Sequence, residues 1–564
     1  MQFLTITFLS FIFTIFLTQS LISFLTRKGI LDRPDGEKRR IHEYPVPRLG
    51  GLIIFSVVIL ITIIFYQDIL SKKFFLTGAV LVFAIGLWDD LVSRKWYVKL
   101  LFQTAAAHFL ILSLNAHSFS IITIAGFIIP SGLNYFILLF LIVGIINSFN
   151  MLDGLDGLVA GLALIISGMC FLLSLDTQYF FLPVMAASLI GSLLGFLKFN
   201  ANPARIFLGD SGSLFLGYVM SGFLLVISNT ETYQTDAVSR GMVFSVDILF
   251  IIIVLAVPIT DTLRVMYLRM SKRTSPFLPD TNHLHHILYS KRIRHKTVVL
   301  LINTIAASFA LLGVYYLHAS KALAVVLFVL MLAALLSTEK IIDFVIKKDN
   351  LLAFGRLYKL IPNRLPVLYK QFLVPVIGIV TLTLIVILLV YEIELNQTYY
   401  LYLLLFQIPA LAYAVKNLRK NNYYVDLIVF LNFIIFFVVT GLNGFFYEMY
   451  PVPLINKINL NQIFIIVFSS VIVLFVLFKE RIADLRTQFL TGTDLSIAVS
   501  ITFIFILSQF LDVSAVYKIS DTILRSFLLF LFYKIIIITY PRFHFSLHFT
   551  SFAVTFVSLL RTSI

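Results

Sequence analysis

Between Leu133 and Gly157 the chain reads LNYFILLFLIVGIINSFNMLDGLDG. The apolar run over 133–149 is long enough to cross a bilayer as a helix, which takes roughly 20 residues. It then ends in Asn147, Asn150, Asp153 and Asp156, one polar side chain every three residues. Charged groups at membrane depth cost roughly 2.5–3.5 kcal/mol each even on permissive scales, so they are functional suspects by default. The same arrangement recurs along the chain. Asp89-Asp90 closes the apolar segment 74–90, and Phe207-Leu-Gly-Asp210-Ser-Gly-Ser213 leads into 212–229. His283-Leu-His285-His286 follows the segment 243–267.

Composition agrees with a membrane protein. Of 564 residues, 60% are hydrophobic and 13% charged, with a mean hydropathy of +0.99. The formal charge of +15 raises the question of nucleic acid. Its distribution argues against that: basic residues gather in short loops, among them 27–48, 95–99, 272–296 and 347–370. Basic short loops normally face the cytoplasm, and counting spans from an external amino terminus puts these loops on one face. The lone Cys170 lies in an apolar run, so no intrachain disulfide can form. The first segment lacks a basic start and a small-residue cleavage site, and reads as a retained helix rather than a signal peptide.

Spans are expected at 2–26, 50–66, 74–90, 99–115, 133–149, 158–175, 179–198, 212–229, 243–267, 298–317 and 320–345. The stretch 116–130 reads as external and partly re-entrant. A basic linker at 346–370 precedes further apolar segments near 371–392, 399–416, 424–442, 461–478, 490–511, 520–539 and 543–560. These later segments show no comparable polar constellation. The expected fold is an all-α polytopic membrane protein, with a core of about eleven helices and a carboxy-terminal multi-helix membrane extension.

Each motif has a plain reading beside a chemical one. Asp89 and Asp90 are either a solvated helix end or a general base and cation-linked anion, with Lys99 and Gln103 at helical spacing on the next segment. Asn147, Asn150, Asp153 and Asp156 can form a cap and turn, or can recognise a polar ring or bind a metal through water. Around Asp210, glycines suit close approach of an anion to a helix start, and Phe207 offers a flat surface to a base. The histidines could hold zinc, pack structurally, or donate hydrogen bonds to a diphosphate, which fits their basic surroundings best. The loop containing His42, Pro45, Pro47, Arg48, Gly50 and Gly51 carries positive-inside charge and suggests a fixed loop against a ligand.

Taken in this order, the motifs resemble the polyprenyl-phosphate N-acetylhexosamine-1-phosphate transferases, over about residues 1–345. That superfamily includes the phospho-MurNAc-pentapeptide translocase. The His-x-His-His form after Ser275-Pro276-Phe277 is similar to the branch that uses GlcNAc-1-phosphate. The resemblance implies a cytoplasm-facing site in a bacterial inner or plasma membrane, where a polyprenyl phosphate attacks a UDP-sugar and releases UMP. It assigns Asp89 and Asp90 to the lipid phosphate, with Asp89 as base, and His283, His285 and His286 to the diphosphate. Asn147, Asn150, Asp153, Asp156 and Phe207 match the nucleotide side, with His42, Arg48, Lys95 and Lys99 also expected to bind substrate. Asp210, with Asn150, matches the site for magnesium, manganese being the alternative. UDP-MurNAc-pentapeptide or another UDP-N-acetyl sugar remains an alternative donor. A transporter is the rival from another class, although transporters tend to hold such residues near the midplane, in repeated halves. Expected partners are the UDP-sugar, polyprenyl phosphate and membrane lipid, with a homodimer or later glycosyltransferases as further candidates.

Overall fold

A computed structural model describes residues 2–32, 45–92, 94–114, 120–124, 127–128, 131–175, 180–228, 244–273, 282–291, 293–347, 364–379, 381, 433, 449–452, 455–482, 498–503, 506 and 514–540. It divides into two compact units, Ile6–Asp343 with Gly492–Phe510, and Met1–Thr5 with Phe344–Thr491 and Leu511–Ile564.

The larger unit takes in α1 (Gln2–Lys28) from Ile6 onward, α2 (Gly50–Phe65), α3 (Lys73–Leu91) and α4 (Trp96–Ser113), then strands β1 (Ser120–Ile124) and β2 (Phe127–Ile128). Next come α5 (Ser131–Leu152), α6 (Leu158–Ser174), α7 (Phe181–Asn200), α8 (Gly209–Ser228) and β3 (Phe244–Asp247). The unit continues through α9 (Ile248–Val254), α10 (Ala256–Ser271), α11 (Leu284–Ser290), α12 (His295–His318) and α13 (Lys321–Leu336), and reaches into α14 (Thr338–Lys347). Among the described residues of the whole chain, seven helices are long and apolar enough to cross a membrane, or eight if α9 and α10 form one broken span. Helices α2, α6 and α13 are apolar but shorter. The protein is an all-α polytopic membrane protein with a small sheet added.

Helix α8 organises this unit. It packs against α2, α3, α5 and α6, and from Gly209 to Leu225 every residue is buried. Without a hydrophobic drive between helices in lipid, such packing depends on close backbone approach. A methyl group on Gly86 of α3 would come within 2.5 Å of the Ser211 Cα, and one on Gly51 of α2 would strike the backbone of Gly212. These glycines let α2 and α3 converge on the first turn of α8.

Two expected spans are corrected here, and one stretch between spans proves to hold strands. The described part of 116–130, expected to be external and partly re-entrant, forms strands: β1 pairs antiparallel with β2 and parallel with β3, in the order β2-β1-β3. The expected span at 243–267 is broken, because β3 occupies its start and α9 meets α10 at 86°. Pro258 supplies a reason, since its ring lacks an N–H and clashes with the carbonyl four residues back. The expected span 320–345 is likewise two helices, α13 and the amphipathic α14. At the β3 end, Asp247 caps α9 through the Leu249 N–H (3.2 Å), and also accepts from the Tyr316 hydroxyl (2.8 Å) and Lys321 Nζ (3.3 Å).

The described elements of the smaller unit are α15 (Arg364–Leu368), the π turn Tyr369–Leu373, the hairpin β4 (Met449–Val452) and β5 (Ile455–Asn459), α16 (Leu460–Ile482) and α17 (Ser514–Thr539). Helix α16 packs on α17, and the Tyr369 hydroxyl donates to the Val471 carbonyl at 2.9 Å. Within α17, Asp521 and Arg525 are fully buried. The expected segments 399–416 and 543–560 lie outside the described residues, as does 424–442 apart from Phe433.

Candidate active site

Helix α8 begins at Gly209, whose φ of +76° is a left-handed conformation that side chains rarely adopt. A helix start leaves backbone N–H groups without partners. Here the partner comes from another helix. Asp90, at the end of α3, accepts from the Asp210 N–H (2.8 Å), the Ser211 N–H (3.0 Å) and the Ser211 hydroxyl (2.7 Å). Both its oxygens are engaged and its side chain is 0% exposed. Asp90 therefore acts as the cap of α8.

Asp210 itself turns to two cations. Its Oδ1 lies 2.8 Å from Arg48 Nη2, and its Oδ2 lies 2.6 Å from Lys99 Nζ. Lys99, in the first turn of α4, also reaches Asp89 Oδ2 at 2.8 Å. Asp89 Oδ1 accepts from the Arg94 N–H at 2.6 Å. Arg48 reaches the site because its segment runs alongside the loop before α8. The Phe207 N–H donates to Pro47 O (2.8 Å), Gly50 N–H to Phe207 O (2.9 Å) and Gly51 N–H to Leu208 O (2.8 Å). Burial works against the Arg48 charge, yet Asp210, Asp90 and Asp153 outweigh it and hold its pKa above the ordinary value.

The motif from Asn147 to Asp156 divides its labour. Asn147 exchanges hydrogen bonds with Gln103 of α4, donating at 2.7 Å and accepting at 3.3 Å. Asn150 donates to the Ser213 hydroxyl at 2.9 Å. Asp153 lies in the turn just past α5, where burial pushes its carboxyl up to about 8, with Arg48 opposing and Asp210, Asp90 and Asp156 adding to the rise. Asp156 accepts from the Asn202 side chain (2.9 Å) and the Ala204 N–H (3.1 Å), tying down the loop before α8.

The histidines close the other side. His283 Nδ1 lies 2.8 Å from Asp261 Oδ2, and the Leu284 N–H donates to Asp261 Oδ1 at 2.7 Å. The His285 ring stacks on His283 with centroids 5.5 Å apart, and lies 4.4 Å from the His286 ring. A methyl group on Gly154 would strike His285 Nε2. The histidine motif thus meets the turn that carries Asp153. Burial and the neighbouring His286 push the His285 pKa from its ordinary 6.5 down to about 3, so the ring is neutral near pH 7.

Of the sequence-predicted residues, Asp89, Asp90, Lys99, Arg48 and Asp210 form one connected cluster, with Asp153 in its electrostatic reach. Phe207 stands at the loop that aligns Arg48. Lys95 is exposed, with its ammonium 5.8 Å from the Tyr97 ring. His42 lies outside the described residues. Asp261 was missed; a lone carboxylate in an apolar run was its signal. Asn200 was missed as well. It joins the Gly157 N–H (3.0 Å) to Ile206 O (3.0 Å) with no motif to mark it.

Oxygen donors of this kind suit a hard divalent cation. Magnesium takes one or two carboxylates and fills its remaining positions with water and substrate phosphate. Asp89, Asp90 and Asp210 face two cationic side chains, Arg48 and Lys99, leaving an excess of negative charge for such an ion to balance. Among the described residues, no group of three or more His, Cys, Asp or Glu side chains stands ready to hold a metal ion.

Residues 73–228 match the family described as Glycosyl transferase family 4. The chain is 32% identical over 287 residues to a "Probable undecaprenyl-phosphate N-acetylglucosaminyl 1-phosphate transferase" of Bacillus subtilis, covering 76% of that protein and 50% of this one. The chain belongs to this transferase family. A relative in Escherichia coli O157:H7, named "Undecaprenyl-phosphate alpha-N-acetylglucosaminyl 1-phosphate transferase", is 28% identical over 314 residues, covering 82% of its length and 53% of this chain. The protein of the same name in Salmonella typhi is 29% identical over 322 residues, covering 84% and 55%. The family match at 73–228 includes Asp89, Asp90, Lys99, the Asn147–Asp156 motif and Asp210.

Proposed function

We propose that this protein transfers a sugar 1-phosphate, GlcNAc-1-phosphate in the first instance, from a UDP-sugar to undecaprenyl phosphate. A phosphate oxygen of the lipid attacks the β-phosphorus of the donor, the bond to UMP breaks, and a lipid diphosphate sugar remains. The observation that carries this reading is the chain of contacts Arg48–Asp210–Lys99–Asp89 at the ends of apolar helices. It would bring a membrane-bound phosphate and a water-soluble donor together among fixed charges.

Phosphoryl transfer depends on alignment and charge stabilisation more than on covalent help. Arg48 and Lys99 are suited to exchange their carboxylate partners for phosphate oxygens. Asp89, with a side chain 10% exposed against 0% for Asp90, is the carboxylate suited to take the proton of the lipid phosphate. That task is easy near neutrality, because the second pKa of a phosphate monoester is about 6. Asp210, with the carbonyl end of Asn150, would hold magnesium or manganese, which when bound supplies positive charge to the transferring phosphoryl oxygens. His283, His285 and His286 would face the diphosphate. Asp153 and Asn150 would serve the nucleotide side.

The activity is assigned to residues 1–345, which would leave 346–370 as a linker and 371–564 as a carboxy-terminal membrane module. The site would face the cytoplasm of a bacterial inner or plasma membrane, where UDP-sugars are available. The test is UMP release by purified protein given undecaprenyl phosphate, magnesium and a panel of UDP-sugars that includes UDP-GlcNAc, UDP-GalNAc and UDP-MurNAc-pentapeptide. UMP that requires both lipid phosphate and magnesium, and is lost in Asp210→Asn, supports the reading and identifies the donor. Folded protein that releases no UMP with any donor overturns it.

A further inference from the structure

Helix α10 leaves the broken span at 86° to α9, and its residues Asp261 and Arg264 lie one turn apart on the same face. Together they hold three successive residues at the start of the histidine motif. Arg264 Nη1 donates to Asn282 O at 3.2 Å, Asp261 Oδ2 meets His283 Nδ1 at 2.8 Å, and Asp261 Oδ1 accepts the Leu284 N–H at 2.7 Å. Asp261 is 5% exposed and His283 is 5% exposed. A carboxylate so buried is strongly unfavourable unless both oxygens find donors, and here both do.

We propose that Asp261 is the positioning residue of the histidine motif, holding His283 by its Nδ1–H so that Nε2 is the nitrogen turned to the reaction. The Leu284 amide can only donate, so Asp261 accepts on that side. An ionised carboxylate accepts on the other side too, which assigns the proton of neutral His283 to Nδ1. Nε2 then keeps its lone pair, or carries a second N–H when the ring is protonated. Carboxylates behind histidines act this way at metal sites and in hydrolase triads, where they fix tautomer and ring orientation. The charged and titratable groups around His283 are Asp261 from α10 and the stacked His285, with His286 and His295 beyond His285 and Arg264 holding Asn282. The role in turnover rests on the transferase reading above; the Asp261–His283 pairing itself does not.

The experiment uses the full-length protein in detergent or nanodiscs. Asp261→Asn keeps the volume but offers an amide N–H to Nδ1, which moves the His283 proton to Nε2. The expected result is a kcat about 10- to 100-fold lower, with KM for UDP-sugar and lipid phosphate both within about threefold. Asp261→Glu, which restores the charge, should recover part of that loss. Asp261→Asn with wild-type kcat, or with a change in KM alone, overturns the proposal. A second readout does not depend on turnover or on the folding of the variant. In the 1H–15N imidazole spectrum of the wild-type protein, His283 should show a proton on Nδ1, with that proton's signal downfield, assigned by its loss in His283→Gln. Its presence in a protein that releases no UMP would sink the transferase reading and keep the pairing. Its absence overturns the pairing.

Discussion

At the start of α8 each charged side chain has an opposite charge against it, while on the facing side His285 is buried with no hydrogen-bond partner on either ring nitrogen among the described residues. The two regions pose different demands on a ligand. Around Asp210, any phosphate or cation that enters would compete with ion pairs already made, so binding there would be an exchange of partners. Around His285, a polar group left unpaired in the interior costs about 1–3 kcal/mol, so a contact made there relieves a standing penalty. An enzyme that must align two phosphates benefits from both. The paired side would resist reorganisation, and the unpaired side would supply selective affinity.

The largest effect is expected from removing the centre of the paired side. Asp210→Asn leaves Arg48 and Lys99 without their shared carboxylate, and UMP formation should fall about 1,000-fold. A loss below about tenfold would break the claim that this cluster is the reacting centre. The next contrast separates two neighbours. Asp89→Asn should lower kcat about 100-fold with little change in thermal midpoint. Asp90→Asn weakens three hydrogen bonds at the start of α8 and should lower folding stability by about 1–3 kcal/mol. Thermal unfolding in detergent, run beside UMP assays, checks both, and reversed outcomes would exchange the two roles.

On the unpaired side the effect is graded with pH. The folded state holds His285 neutral down to about pH 3, whereas the unfolded chain takes up a proton below about 6.5. The unfolded state then binds more protons, so stability falls as pH drops through that window, by up to about 1.4 kcal/mol per unit. His285→Gln should flatten the acid side of the midpoint-against-pH curve. An unchanged slope would show that the ring is solvated. The smallest effect belongs to the periphery. Lys291 pairs with Asp343 at 2.8 Å and Glu339 at 3.5 Å, linking α11 to α14 through half-exposed groups. Lys291→Ala should leave UMP release within about twofold and the midpoint nearly unmoved, as is usual for surface pairs. A large loss would mean that α14 helps hold the histidine motif.

Much of the helical frame was legible, because hydropathy is a local property. The expected spans 74–90, 133–149, 158–175 and 298–317 correspond to α3, α5, α6 and α12 with ends moved by at most three residues. The misses involve interactions that run across the chain. Strand β1 is short and acquires its identity from β3, with Ser120 opposite Phe244 and Thr123 opposite Asp247. The break before α10 had a local signal in Pro258, but a proline within a long apolar run can also be accommodated in a continuous membrane helix. Arg48 was expected to bind substrate, but its partner was not legible; the strand-like contacts of Pro47, Gly50 and Gly51 with Phe207 and Leu208 carry it to Asp210.

By itself, then, the sequence determined that the chain is a bundle of membrane helices and that carboxylates, amides and histidines gather at their ends. Both facts follow from the cost of moving single side chains into hydrocarbon. The tertiary structure decided which of these groups are free to react. Asp89 and Asp90 are identical neighbours, yet Asp90 is consumed by backbone N–H groups 120 and 121 positions later, while Asp89 meets the Arg94 N–H close by in sequence and Lys99. Hydropathy can be summed residue by residue, but a hydrogen bond has a partner, and the partner is chosen only when α3 meets α8.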